Sequence, residues 1–186
     1  MNPSQMPRML LSFHEGWDDL IRIHPSIFRM FALVVLPLSL LPPAMIYYAG
    51  GNYGDVFARG VALGQWRTSA EIFFLAELLT VPLMAWLIHL VARANNVAAG
   101  YHECFTLAAL APIPLWISSL MLFIPNLAVG IVVGALALLA SLALTYRGVY
   151  ALLRMHDDLR ALQMASVITG TGLLAWLLLM QIALAH

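Results

Sequence analysis

Arg93-Ala94-Asn95-Asn96-Val97-Ala98-Ala99-Gly100-Tyr101-His102-Glu103-Cys104 is a short polar interruption near the middle of a chain that is otherwise mostly hydrocarbon. Long apolar segments flank it on both sides, and it holds the only consecutive Asn pair and the only Cys. Two hydrophobic runs separated by so short a polar stretch read as two membrane crossings joined by a loop. The remainder of the chain repeats that alternation.

Composition points the same way. Of the 186 residues, 62% are hydrophobic and 10% charged, with a mean hydropathy of +0.89. Soluble domains are about 45–50% apolar and about 25% charged. At roughly 20 apolar residues per crossing, the chain has room for about four to six helical spans and for no separate soluble domain. A formal net charge of zero argues against nucleic-acid binding. One Cys cannot form an intrachain disulfide. The first apolar run starts near Met30, too late for the h-region of a cleavable signal peptide.

The fold expected is all-α: five transmembrane helices preceded by an amphipathic surface helix within residues 1–29. Ser12-Phe13-His14-Glu15 fits a capping box. Phe13, Trp17, Leu20 and Ile21 then share one helix stripe, opposite Glu15, Asp18, Asp19 and Arg22. The acidic polar face leaves packing of Trp17 and Phe13, on lipid or on the spans, to hold this helix. His24-Pro25 should end it.

The spans are expected at about 30–49, 70–91, 105–123, 127–146 and 162–185. Pro37, Pro42 and Pro43 should kink the first, and Pro112 and Pro114 the third. Gly50-Gly51-Asn52-Tyr53-Gly54 should break the first helix, before a loop whose Tyr53, Phe57 and Trp66 suit an interface. Thr68-Ser69-Ala70-Glu71 reads as a capping box opening span two. Ile124-Pro125-Asn126 allows only a tight antiparallel hairpin between spans three and four. Asp157 or Asp158 is an N-cap for span five. Seven Arg fall on the N-terminal side of the alternating loops and two, Arg59 and Arg67, on the other. The positive-inside rule then puts the N-terminus in the cytoplasm and the C-terminus on the periplasmic or extracellular side.

Certain residues carry a resemblance. Glu15-Gly16-Trp17, Ile23-His24-Pro25-Ser26 and the run Leu36-Pro37-Leu38-Ser39-Leu40-Leu41-Pro42-Pro43 are similar to the opening of short bacterial members of the YIP family, the Ypt/Rab-GTPase-interacting proteins. Gly100-Tyr101-His102-Glu103-Cys104 into Ala111-Pro112-Ile113-Pro114 resembles that family around its third span. Tyr146-Arg147-Gly148-Val149-Tyr150 with Ala161 and Ala165 resembles its approach to the last span. The resemblance implies five spans in a bacterial inner membrane with a cytoplasmic N-terminus. Eukaryotic members are associated with vesicle traffic and Rab proteins. The motif residues are Trp17, Pro37, Pro42, Pro43, Gly100, Tyr101, Pro112 and Pro114.

Among side chains that could carry chemistry, Glu77 comes first. A carboxyl at membrane depth costs about 2.5–3.5 kcal/mol at the bilayer centre on insertion scales and usually faces a partner or cavity. It could bind a cation or relay a proton, or it could join helices through a hydrogen bond. His89, Arg93 and Asn96, at i, i+4 and i+7, would share one helix face and could hold an anionic headgroup or ligand. A snorkelling Arg93 at a helix C-terminus is the plainer account. Glu77 and His89 lie about 18 Å apart along a straight helix and cannot form one site. His102-Glu103-Cys104 has metal-ligand residue types, but neighbouring helical positions point about 100° apart, so no metal site and no cofactor is inferred. Gly130 and Gly134 permit close helix approach, within the chain or in self-association. No enzyme signature is present. Two functions fit: a non-catalytic membrane scaffold or adaptor with lipid and membrane-protein partners, or a small oligomeric channel or transporter using Glu77.

Overall fold

The computed structural model describes Trp17, Arg22 and residues 24–153 and 157–184. The capping box at Ser12–Glu15 and most of the expected surface helix lie outside these residues. The regular structure of the described residues is helical throughout. Four segments among them are long and apolar enough to cross a membrane: α1 (Ile27–Phe57), α2 (Leu63–Ala94), α3 (Tyr101–Phe123) and α4 (Leu127–Leu152). The protein is a multi-pass membrane protein. The stretch expected as span five falls largely on a further helix, α5 (Asp158–Leu184), of 27 residues.

Proline decides the course of α1. His24 takes a left-handed φ of 42°, and Ser26 caps the helix by accepting the Arg29 N–H at 3.3 Å. Before Pro37 the backbone widens into a π segment, Phe31–Val35, where the Leu36 N–H reaches back five residues to the Phe31 carbonyl. The helix breaks again at Leu40 and restarts at Leu41, with Pro42 and Pro43 in its first turn. A missing N–H costs nothing there. The expected kink is therefore present, resolved as a π turn followed by a restart.

The glycine stretch interrupts the helix as expected: at Tyr53 the backbone leaves helical geometry (φ −141°, ψ 25°), and a short helical piece continues to Phe57 beyond that kink. The glycines also form a groove: a Cβ at Gly50 would fall on the Trp66 ring, and one at Gly54 would lie 3.1 Å from the Trp66 indole nitrogen. One expectation about the next segment needs correction: α2 begins at Leu63, not near Ala70. Gln65 supplies the start by accepting the Ala62 N–H at 3.1 Å, half of a capping box, since Ala62 has no side-chain acceptor. Thr68 turns back on the Gly64 carbonyl at 3.1 Å, and Glu71 pairs with Arg67 at 2.9 Å on the exposed surface. Serine, threonine and glutamate at cap spacing also occur inside a helix when an earlier cap has already nucleated it.

The 32 residues of α2 extend about 48 Å, more than the roughly 30 Å hydrocarbon thickness. Pro82 lies inside it. The Asn pair ends it. Asn96 adopts φ 56°, the Val97 N–H reaches the Ala92 carbonyl at 2.9 Å, and the Asn96 N–H reaches Arg93 at 3.1 Å. Those two bonds and the left-handed residue make a Schellman motif.

The third segment bends at Ala111–Pro112, continues as Ile113–Ser118 and tightens into a 3₁₀ turn, Ser119–Phe123. Asn126 then caps α4 by accepting the N–H groups of Ala128 (3.0 Å) and Val129 (3.2 Å). The hairpin is as tight as expected, but α4 continues past Tyr146 to Leu152. Asp157, not Asp158, caps α5, accepting the Leu159 N–H at 3.1 Å.

In the bundle α2 is central, packed against α1, α3 and α5, while α4 closes the other side against α3 and α5. Trp17 is fully buried and belongs to the core. It fits because residue 148 is glycine: a Cβ there would collide with Leu107 and come within 3.0 Å of the Trp17 ring. Leu75, Leu79, Leu83, Trp86 and Leu90 of α2 and Ile131, Val132, Leu136 and Leu139 of α4 point outward, the apolar surface that lipid requires.

Gly148→Val should overpack this contact, costing about 1–3 kcal/mol. Thermal unfolding in detergent should show a lowered midpoint. Combining it with Trp17→Ala should give less than the sum of the two losses, because removing the Trp17 ring makes room for part of the added side chain.

Candidate functional site

A half-open cavity of about 510 Å³ lies between the helices and is lined by residues of all five. The kinks create it. Pro42, in the restarted first turn of that part of α1, and Ala111, Pro112 and Leu115 around the bend of α3 all face it. From α4 come Gly134, Leu138 and Ser141, and from α5 Ile168, Thr169 and Gly172.

Glu77 lines this cavity from α2, together with Trp116 of α3. The buried Trp116 indole N–H donates to Glu77 Oε1 at 3.0 Å, whereas Glu77 Oε2 is buried with no partner. One half of the carboxyl thus joins two helices, and the other half is open to further chemistry. Thr169 Oγ1 on α5 is likewise buried and unpartnered. The remaining hydroxyls of the wall are already engaged. Thr80 donates to Ala76 (2.7 Å), Ser119 to Trp116 (2.6 Å) and Thr145 to Ser141 (2.9 Å). Ser141 alone reaches another helix, donating to the Ala111 carbonyl at 2.6 Å. That bond ties α4 to α3 at its bend, where a backbone acceptor would otherwise face hydrocarbon.

His89, Arg93 and Asn96 are not brought together on one helix face. The helix ends at Ala94, so Asn96 lies beyond it in the left-handed cap described above. Arg93 and Asn96 are exposed and His89 is half-buried. The His89 ring stands edge-on to Tyr101, with centroids 6.4 Å apart, and its Nδ1 is buried without a partner. Tyr101 itself donates to the Pro82 carbonyl at 3.3 Å. His102 Nε2 donates to the Pro25 carbonyl at 2.7 Å, and its ring lies 4.8 Å from that of His24. Cys104 is fully buried. Consecutive residues 102–104 therefore serve three different surroundings.

The other motif positions are structural here. Gly100 is the N-cap of α3, where a Cβ would crowd the Glu103 carboxyl at 2.6 Å. Pro37, Pro42, Pro43, Pro112 and Pro114 shape the bends. Cβ atoms at Gly130 or Gly134 would meet nothing within 4 Å, so neither glycine serves close packing among the described residues.

Sequence reasoning missed Trp116, Ser141, Thr169 and Gly148. Trp116 lies 39 positions from Glu77, and no periodicity links residues on separate helices. The one available signal was the pairing rule itself: a buried carboxyl needs a donor, and indole is a donor only.

Ser141→Ala should leave the Ala111 carbonyl unsatisfied and cost about 1–3 kcal/mol. Denaturant unfolding of the purified protein measures this. A Glu77→Leu and Trp116→Phe double-mutant cycle should show a favourable coupling of about 1 kcal/mol or more for their bond.

A family model described as the Yip1 domain matches residues 8–179. No curated protein matches the chain, and no solved structure does.

Proposed function

The chain belongs to the Yip1-domain family, and on that premise we propose that it is a non-catalytic scaffold or adaptor of a bacterial inner membrane. Its role would lie in membrane organisation or a trafficking-like process. In this reading it crosses the bilayer five times, α5 being the fifth span. The N-terminus is cytoplasmic and the C-terminus periplasmic or extracellular. The observation that carries the adaptor role is the connection between α2 and α3. Backbone bonds of the Schellman motif hold it, and His102 ties its far end to Pro25. Arg93, Asn95 and Asn96 meanwhile stay exposed. A rigid turn presenting an arginine and two amides suits contact with another protein, because little ordering entropy is lost on binding. Self-association through Gly130 and Gly134 belongs to the same reading, as a second copy could approach the α4 backbone there.

A specific observation favours the alternative, a small oligomeric channel or transporter: the unpartnered oxygen of Glu77 faces a cavity that reaches all five helices. Ion flux in sealed liposomes separates the two. The adaptor predicts flux equal to that of empty liposomes, whereas a channel predicts flux that Glu77→Gln abolishes.

The adaptor role is checked by a photo-crosslinker at position 93, with one at the outward-facing position 79 as control. A discrete protein adduct from 93 alone is expected; lipid adducts from both positions would overturn the reading. For the topology, Val61→Cys and Ala98→Cys should react with a membrane-impermeant maleimide from opposite sides, Ala98→Cys from the cytoplasmic one. The buried Cys104 gives no background.

A further inference from the structure

We propose that the cavity between the helices binds a single-chain amphiphile whose head group donates a hydrogen bond to the ionised Glu77 carboxylate. This goes beyond the adaptor reading, and neither requires the other. The shape of the cavity is the first argument. Its lining on α2 runs from Phe73 to Ile88, and on α3 from Ala108 to Leu122. At the helical rise these stretches are about 21–22 Å long. A volume of about 510 Å³ spread over about 22 Å makes an elongated space, the shape of an extended hydrocarbon chain. The volume also falls within the roughly 300–1,000 Å³ of small-molecule sites.

The distribution of polar atoms is the second argument. Most of the wall is apolar, and the hydroxyls already bonded to backbone demand nothing of a ligand. Glu77 Oε2 and Thr169 Oγ1 are the buried cavity atoms lacking partners among the described residues. They are far apart. Gly172 faces Met84, its Cβ position 3.6 Å from the Met84 methyl, which sets the register of the antiparallel α2 and α5. Glu77 lies seven positions from Met84, and Thr169 lies three positions from Gly172 in the opposite direction. Their levels differ by about 15 Å. A bare ion cannot serve both, whereas an extended chain passes each.

Glu77 is the end that reads the head group. A hydroxyl such as that of Thr169 can rotate toward its own helix, but the oxygen of an ionised carboxylate only accepts and must find a donor from elsewhere. A hydroxyl or ammonium head supplies one. A carboxylate or phosphate head would set anion against anion, and an ester head has no donor to give.

The test uses the full chain in nanodiscs at alkaline pH, to keep Glu77 ionised, and four probes with the same brominated chain: a monoacylglycerol, a primary amine, a fatty acid and its methyl ester. Bromine in the cavity quenches Trp116, which lines it. Saturable quenching is expected from the alcohol, the amine or both, which identifies the head group. The ester and the acid should bind about tenfold more weakly or worse. Gly134→Leu should abolish the saturable signal, because a side chain there starts in open space and fills the cavity without moving backbone. Glu77→Leu should remove the preference among heads, and Trp116→Phe should remove most of the quenching. Quenching that rises without saturation and equally for all four probes is bilayer partitioning and would overturn the proposal. So would a signal unchanged in Gly134→Leu, or a head-group preference that survives Glu77→Leu.

Discussion

In hydrocarbon no water is available to accept a backbone hydrogen bond, and every departure of this chain from regular helix has to be resolved within the protein. The prolines impose those departures. In α1 the loss is absorbed locally, by a π turn and a restart at Leu41. In α3 it is absorbed across helices, by the Ser141 hydroxyl on the Ala111 carbonyl. Beside Pro82 in α2, the Tyr101 hydroxyl of α3 donates to the Pro82 carbonyl and ties those two helices together. The arrangement of the bundle around α2 follows from where these repairs can be made.

Glycine sets the second condition, by what is missing. Gly50 and Gly54 admit the Trp66 ring between the first two helices, and Gly148 admits both Leu107 and Trp17. Each is a place where a methyl group would meet an aromatic side chain rather than space. Apolar helices have no hydrophobic reason to prefer one another over lipid, so close packing of this kind is what holds them in one arrangement.

The cavity is a consequence of both. Bent helices cannot pack along their whole length, and the gap left between them is lined mainly by hydrocarbon, with one carboxyl. Glu77 is held by Trp116 from one side only. That half-satisfied state distinguishes it from the serines and threonines of the same wall, which apart from Thr169 are engaged, and it makes Glu77 the residue through which this gap can become a site.

The membrane class, the helical content, the hairpin at Asn126 and a cap at Asp157 or Asp158 could all be read from the chain alone, because each depends on neighbours within a few positions. So could the bends, since proline acts on its own turn. Local signals failed where a competing local signal was stronger, as with Thr68–Glu71 behind the Gln65 start, and they carried no word of tertiary contact, as with the Trp66 ring seated on Gly50 and Gly54. Glu77 stood out by its position in an apolar run, but its partner did not. Hydrophobic periodicity tells which face of a helix turns inward and says nothing of which residue on another helix it will meet. The Glu77–Trp116 bond, the Ser141 repair and the length of the cavity depend on the relative heights and rotations of separate helices. Those are decided only when the packed side chains and the repaired backbone bonds are satisfied together.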